Sequence, residues 1–274
     1  MGDCRGGHVK VGEVGTLSWM RDTRGRLTGA ERRRFIAAFV LAQLKDMPAI
    51  SLARLGRTAR ETGSLDDLDL VAPDSKLARD AEQQALETQP RWITDHCYRG
   101  YFYAMAIARL KRLDPDPELM FIAAMFHDAG LCGEIASDHC FTLDGVDAAY
   151  AAAPDLDSDS RALVGNAITL HLNPQVPLEQ GVEAHLFHEG IISDLTGFRW
   201  RLISASTRQL IQDRYPRGEF GVRSGAAFSE HALRFAGRNR AVMMCGGYTA
   251  PAALAGLMPN LWAMERTRRR GEWG

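Results

Sequence analysis

The eight residues from Leu119 to Phe126 are all apolar, and they run straight into a histidine-aspartate doublet, His127-Asp128. A helix that is apolar all round belongs inside a protein, because no face of it gains from water. Its end is then buried too, and there the chain places an imidazole beside a carboxylate. Ionisable groups are seldom left unpaired in a core. Any fold that buries this run must therefore supply the doublet with a partner. A metal ion is the most economical one, and the open carbonyls at a helix C-terminus also favour a cation.

The rest of the chain reads as helices. Thr28-Gly-Ala-Glu31 has the pattern of a capping box and opens a helix through Leu44, with Pro48 ending that region. The polar stretch Arg57–Asp69 reads as loop or short helix. Pro73-Asp-Ser75 opens a helix to about Glu87, and another follows from about Gln89 to Leu113. Along the latter Ile93, Cys97, Tyr101, Met105 and Ala108 form a helical stripe. Asp114-Pro-Asp-Pro117 breaks it, and Glu118 starts the doublet helix. Residues 132–145 look irregular, with Asp144 and Asp147 as candidate caps for a helix over Val146–Ala153. Asp157-Ser-Asp-Ser160 caps a helix ending near His171. A long helix is expected over Val182–Arg214 and another over Gly225–Arg240.

Strand alternation is scarce, so the expected fold is an all-α bundle of roughly eight to ten helices. Residues 1–28 read as a flexible or loosely docked arm, 29–260 as a single helical domain with its site core over about 86–214, and 261–274 as a basic tail.

Charge and motifs exclude several function classes. A net charge of −1 gives no electrostatic footprint for nucleic acid or an anionic membrane. The apolar stretch Phe35–Leu44 is too short to span a bilayer. Five cysteines without a CxxC pair argue against a disulfide framework or zinc finger and suit a cytoplasmic protein. No GxSxG elbow, P-loop or GxGxxG is found, and His188-Glu189 fails to extend to HExxH because position 192 is Ile. The run Met243-Met-Cys245 and the rings of Phe198 and Trp200 read as core or interface residues.

Four residues make a candidate metal set: His96 in one helix, His127 and Asp128 at the end of the next, and Asp194 in a later one. Two imidazoles and two carboxylates suit one divalent transition ion with positions left open for water. Gly190 and Gly197 share the face of Asp194, which lets another helix or a ligand approach. His185 and His188 point about 180° and about 120° away from Asp194 and are poor candidates for the same ion.

In order and spacing, this set resembles the HD-domain superfamily of metal-dependent hydrolases. Trp92-Ile-Thr-Asp-His96-Cys-Tyr-Arg99 is similar to the segment around that family's first histidine, and Phe126-His-Asp-Ala-Gly-Leu131 to its central motif. Phe141-Thr-Leu-Asp-Gly-Val-Asp-Ala-Ala149 and Ala167-Ile-Thr-Leu-His171 resemble segments of the cyanamide hydratase-like branch, and Ile192-Ser-Asp194-Leu-Thr-Gly197 its last ligand segment. The likeness covers roughly residues 70–240. It implies a helical HD bundle with His96, His127, Asp128 and Asp194 converging on zinc or iron, or on manganese or nickel. The branch often carries a glutamate after the aromatic residue of the Phe141 segment. Thr142 stands there in this chain.

These readings imply roles. A metal at the site would lower the pKa of a bound water. Asp128 ligates with one oxygen and steers the water with the other, and His171 is the expected acid or base. Arg99 lies on much the same helix face as His96. It is expected either to bind an anionic substrate, to hold a ligating carboxylate, or simply to form an ion pair. His139, Phe141 and Asp144 are expected to line the substrate pocket. The leading expectation is hydrolysis or hydration of a small molecule, such as a nitrile or another C–N compound, by a protein able to form a homo-oligomer. Three alternatives stand beside it. One is a phosphomonoester or nucleotide phosphohydrolase, which would want more cationic groups than Arg99. The second is a di-iron oxygenase using His139 and His171, although Leu131 replaces the lysine common in that class. The third is a degenerate domain with a binding or regulatory role.

Overall fold

The computed structural model describes residues 13–54, 70–132, 139–196 and 202–236. In chain order its helices are α1 (Leu17–Thr23), α2 (Gly29–Arg54), α3 (Lys76–Thr88), α4 (Arg91–Lys111), α5 (Pro117–Phe126), α6 (Phe141–Ala152), α7 (Ser158–Leu170), α8 (Val182–Thr196), α9 (Ala205–Arg214) and α10 (Phe220–Ala236). Short 3-10 turns cover Ala129–Leu131 and Leu178–Gln180. No strand occurs among the described residues, and the all-α expectation holds. No described helix is long and apolar enough to cross a membrane.

Local signals start most helices. Thr28 and Glu31 form the reciprocal capping box: Glu31 N–H donates to Thr28 Oγ1 (3.3 Å) and Thr28 N–H to Glu31 Oε2 (2.7 Å). Asp116 accepts from the amides of Glu118 and Leu119, with Pro117 in the first turn, and so fixes the start of α5. All eight residues from Leu119 to Phe126 are buried. Asp157 caps α7 through Ser160 N–H at 2.8 Å, and Ser75 caps α3. At the far end of α4, Arg112 takes the left-handed conformation (φ 58°), and Leu113 N–H reaches back to the Ala108 carbonyl.

Several boundaries differ from the sequence expectation. Helix α2 continues through Pro48; one proline costs a helix about 3 kcal/mol, and this one runs 26 residues. The expected helix over 182–214 is two, because Ser204 is extended (ψ 153°) and its side chain caps α9 through Thr207 N–H. Helix α10 starts at Phe220, ahead of the expected Gly225. Helix α6 starts at Phe141, so Asp144 and Asp147 lie inside it and neither caps it. Its first amide donates instead to His231 Nε2 from α10, at 3.3 Å.

The expected arm is likewise corrected over its described part. Trp19 and Met20 of α1 are buried in the core, and Leu17 N–H donates to Asn166 Oδ1 on α7. Residues 1–12, 55–69, 133–138, 197–201 and 237–274 lie outside the described residues, and with them Gly197, Phe198, Trp200, the Met243–Cys245 run and the basic tail.

Helices α4 and α8 share the most extensive contact of the bundle. Two glycines let them meet. A Cβ at Gly190 would lie 2.3 Å from the Gly100 carbonyl oxygen and 2.7 Å from Ala104 Cβ. A Cβ at Gly100 would lie 2.4 Å from Ile191 Cδ1. This close crossing brings His96 and Asp194 together, as the small residue beside Asp194 led one to expect. Gly→Ala inside a helix usually stabilises by about 1 kcal/mol. Gly190→Ala should reverse that sign and destabilise by about 1–3 kcal/mol, since backbone cannot step aside. Gly225→Ala in α10, where nothing lies within 4 Å, should keep the usual sign. Denaturant unfolding of the two variants checks both.

Candidate metal centre

His127 is the last residue of the α5 cylinder, still helical at φ −57°. Asp128 then adopts φ −106° and ψ 7°, the bridge region where a chain leaves a helix. The turn brings the Asp128 carboxylate to the same point as the His127 ring. Both are buried, as is His96 in the middle of α4. The three residues converge as a group able to hold a metal ion. His127 Nε2 lies 3.2 Å from His96 Nε2. Asp128 Oδ2 lies 3.4 Å from His127 Nε2 and 3.7 Å from His96 Nε2.

The hydrogen bonds on the far side of each ring fix what these atoms are. His127 Nδ1 is 2.8 Å from the Ala124 carbonyl, and His96 Nδ1 is 2.6 Å from Asp194 Oδ2. Each Nδ1 therefore carries the proton and each Nε2 presents a lone pair. Two lone pairs and a carboxylate oxygen face one another with no donor among them. Asp128 Oδ1 is also buried without a hydrogen-bond partner. Such a set is repulsive when empty and attractive around a cation. Ligand atoms held about 2.0–2.2 Å from one ion lie roughly 3.0–3.6 Å apart, close to the separations seen.

His171 extends the set. Its Nδ1 donates to the Ile168 carbonyl at 2.5 Å, so its Nε2 is another lone pair, 3.9 Å from Asp128 Oδ1. Burial, with His127 beside it, pushes this imidazole down to about 3. With its Nδ1 proton so engaged, its Nε2 is presented as an acceptor. Burial also lowers His96, against the pull of Asp194.

Asp194 departs from the expected ligand set. It is fully buried on α8, one ring further out, and lies outside the converging group. Its Oδ1 accepts from Arg99 Nε (2.8 Å) and Arg217 Nη1 (2.6 Å), and its Oδ2 from Arg99 Nη2 (2.9 Å) and His96 Nδ1. Arg99 is fully buried, and its Nη1 donates to the carbonyls of Tyr215 and Pro216. It holds the Asp194 carboxylate in place. Phe220 stacks on the His96 ring at 4.3 Å, and the guanidiniums of Arg99 and Arg217 sit over the same phenyl ring at 5.2 and 5.4 Å. Phe220, Arg217 and His231 were not singled out in the sequence. They lie in or after the turn before α10 and carry no local signal.

The expected pocket residues divide. His139 Nε2 and Asp144 Oδ1 pair at 2.9 Å, both partly exposed. Phe141 is buried among the rings of Phe228, His231 and His171, and is core, not pocket wall. Thr142 is buried with its hydroxyl unpartnered. His185 bonds to Lys111 and the Val176 carbonyl, and His188 Nδ1 to the His171 carbonyl. Neither belongs to the converging group of His96, His127 and Asp128. The chain matches no known family model and no curated protein.

Replacing Asp194 with Asn should cost about 3–5 kcal/mol, because it strands buried guanidiniums. Asp128→Asn should leave stability in chelator unchanged or raised, since an amide can donate to the facing lone pairs. Denaturant midpoints of the two variants in chelator test the contrast. Equal losses would make the donor set a structural network.

Proposed function

We propose that the chain is a metal-dependent hydrolase or hydratase that activates water on a small molecule, with a nitrile or related C–N compound as the leading substrate class. The observation that carries this reading is the inward-facing trio of His96 Nε2, His127 Nε2 and Asp128 Oδ2, three acceptors with no donor. The resemblance of its segments to the HD-domain superfamily supports the same reading.

A divalent ion, zinc or iron first, would supply Lewis-acid activation of water there. His96, His127 and Asp128 would hold it. The free Oδ1 of Asp128 and the neutral Nε2 of His171 lie 3.9 Å apart and present acceptors that orient a water and take its proton. Ala124 and Ile168 carbonyls keep both rings in the required tautomer. The phosphoester alternative draws less support, since the guanidiniums of Arg99 and Arg217 are both turned to Asp194. The di-iron alternative is favoured by one observation, the His171 imidazole beside the second oxygen of Asp128.

Elemental analysis of chain purified without chelator should find one divalent ion per chain, and His127→Ala should lose it. Two irons per chain would move the reading to an oxygenase. In a screen of nitriles against phosphomonoesters, chelator should abolish turnover of the nitriles. A metal-free wild type, or full activity in His127→Ala, would overturn the proposal.

A further inference from the structure

We infer that Asp194 is a positioning carboxylate for His96, and that Arg217, with Arg99, sets how tightly the centre holds a divalent cation by restraining that carboxylate. The inference rests on the metal-centre reading above. Each Asp194 oxygen already accepts two hydrogen bonds, from Arg99, Arg217 and His96. Two guanidiniums more than balance its charge, so it adds little toward neutralising an ion. Of the two carboxylates, Asp128 alone remains for that purpose.

Asp194 still acts on the centre through His96. By accepting the Nδ1 proton at 2.6 Å it fixes the tautomer and enriches the lone pair on Nε2. Arg217 draws on the same carboxylate, and also accepts its backbone into the arrangement by donating to the Asp194 carbonyl at 2.6 Å. The ring of Phe220, fully buried and packed against both His96 and the guanidiniums, keeps water from these charges and so strengthens their coupling. Removing the Arg217 charge leaves Asp194 a stronger acceptor for His96 and takes one positive charge from beside the site. Both effects tighten cation binding. A purely structural arginine would do the opposite when lost. Arg217 is the practical handle, because its side chain is 15% exposed while that of Arg99 is wholly enclosed.

The test is titration of the chelator-treated full chain with Co²⁺, followed by its visible spectrum and by competition with a chelator. Arg217→Gln should bind Co²⁺ about 3- to 10-fold more tightly than wild type, and Arg217→Lys, which keeps the charge, within about 2-fold of it. Asp194→Asn should bind about 10- to 100-fold more weakly with an unchanged spectrum, because the ligands are the same. The two positions give independent answers, so either one decides if the other variant fails to fold. Arg217→Gln binding no tighter than wild type, or a Co²⁺ spectrum altered by Asp194→Asn, overturns the inference and leaves the metal centre standing. A wild type that binds no Co²⁺ overturns both.

Discussion

Everything around the centre follows from three acceptor atoms being forced to face one another inside a dry core. Imidazole nitrogens 3.2 Å apart, both presenting lone pairs, repel unless something positive lies between them. Neither ring can escape by moving its proton, because the Ala124 carbonyl holds one tautomer and Asp194 the other. The surrounding fold has to keep this arrangement against its own repulsion. The buried run Leu119–Phe126 of α5 does so on one side, and the close crossing of α4 and α8 on the other. A group of this kind costs stability when empty and could receive a cation without rearranging.

The charge around the centre is arranged in shells. Asp128 faces inward with one oxygen unpartnered, whereas Asp194 faces outward onto two arginines. Two buried carboxylates in one site thus take different tasks because their neighbours differ. Asp128 sits among imidazoles, and Asp194 among guanidiniums. Phe220 packs against both the His96 ring and the arginines at this boundary.

What could be read from the residues was whatever depends on near neighbours in the chain. The capping box of Thr28 and Glu31, the Asp116-Pro117 start of α5 and the cap at Asp157 are local, and each appears where expected. The His127-Asp128 doublet was legible because an apolar run leads into it. The direction of a side chain across the bundle was not legible. Asp194 was read as a ligand because its type and position suited an ion, and nothing local announced that Arg99 and Arg217 approach it from α4 and from the turn before α10. The start of α6 was missed for a similar reason. Its first amide is satisfied by His231, ninety positions away, so no capping residue stands beside it. Likewise the apolar side chains of α1 looked like part of an arm until α7 gave them a surface to cover.

That link between Phe141 and His231 bears on how the molecule comes into being. The contacts that finish the centre join residues far apart along the chain: positions 96 and 194, 99 and 194, 141 and 231. Closing such long loops is costly before the contacts reward it, and it slows folding. On a ribosome, His96 and His127 would emerge well before Asp194, Arg217 and His231. The histidines thus precede the residues that buttress them, and the bonds that fix the centre in place can close only once those later segments have been made.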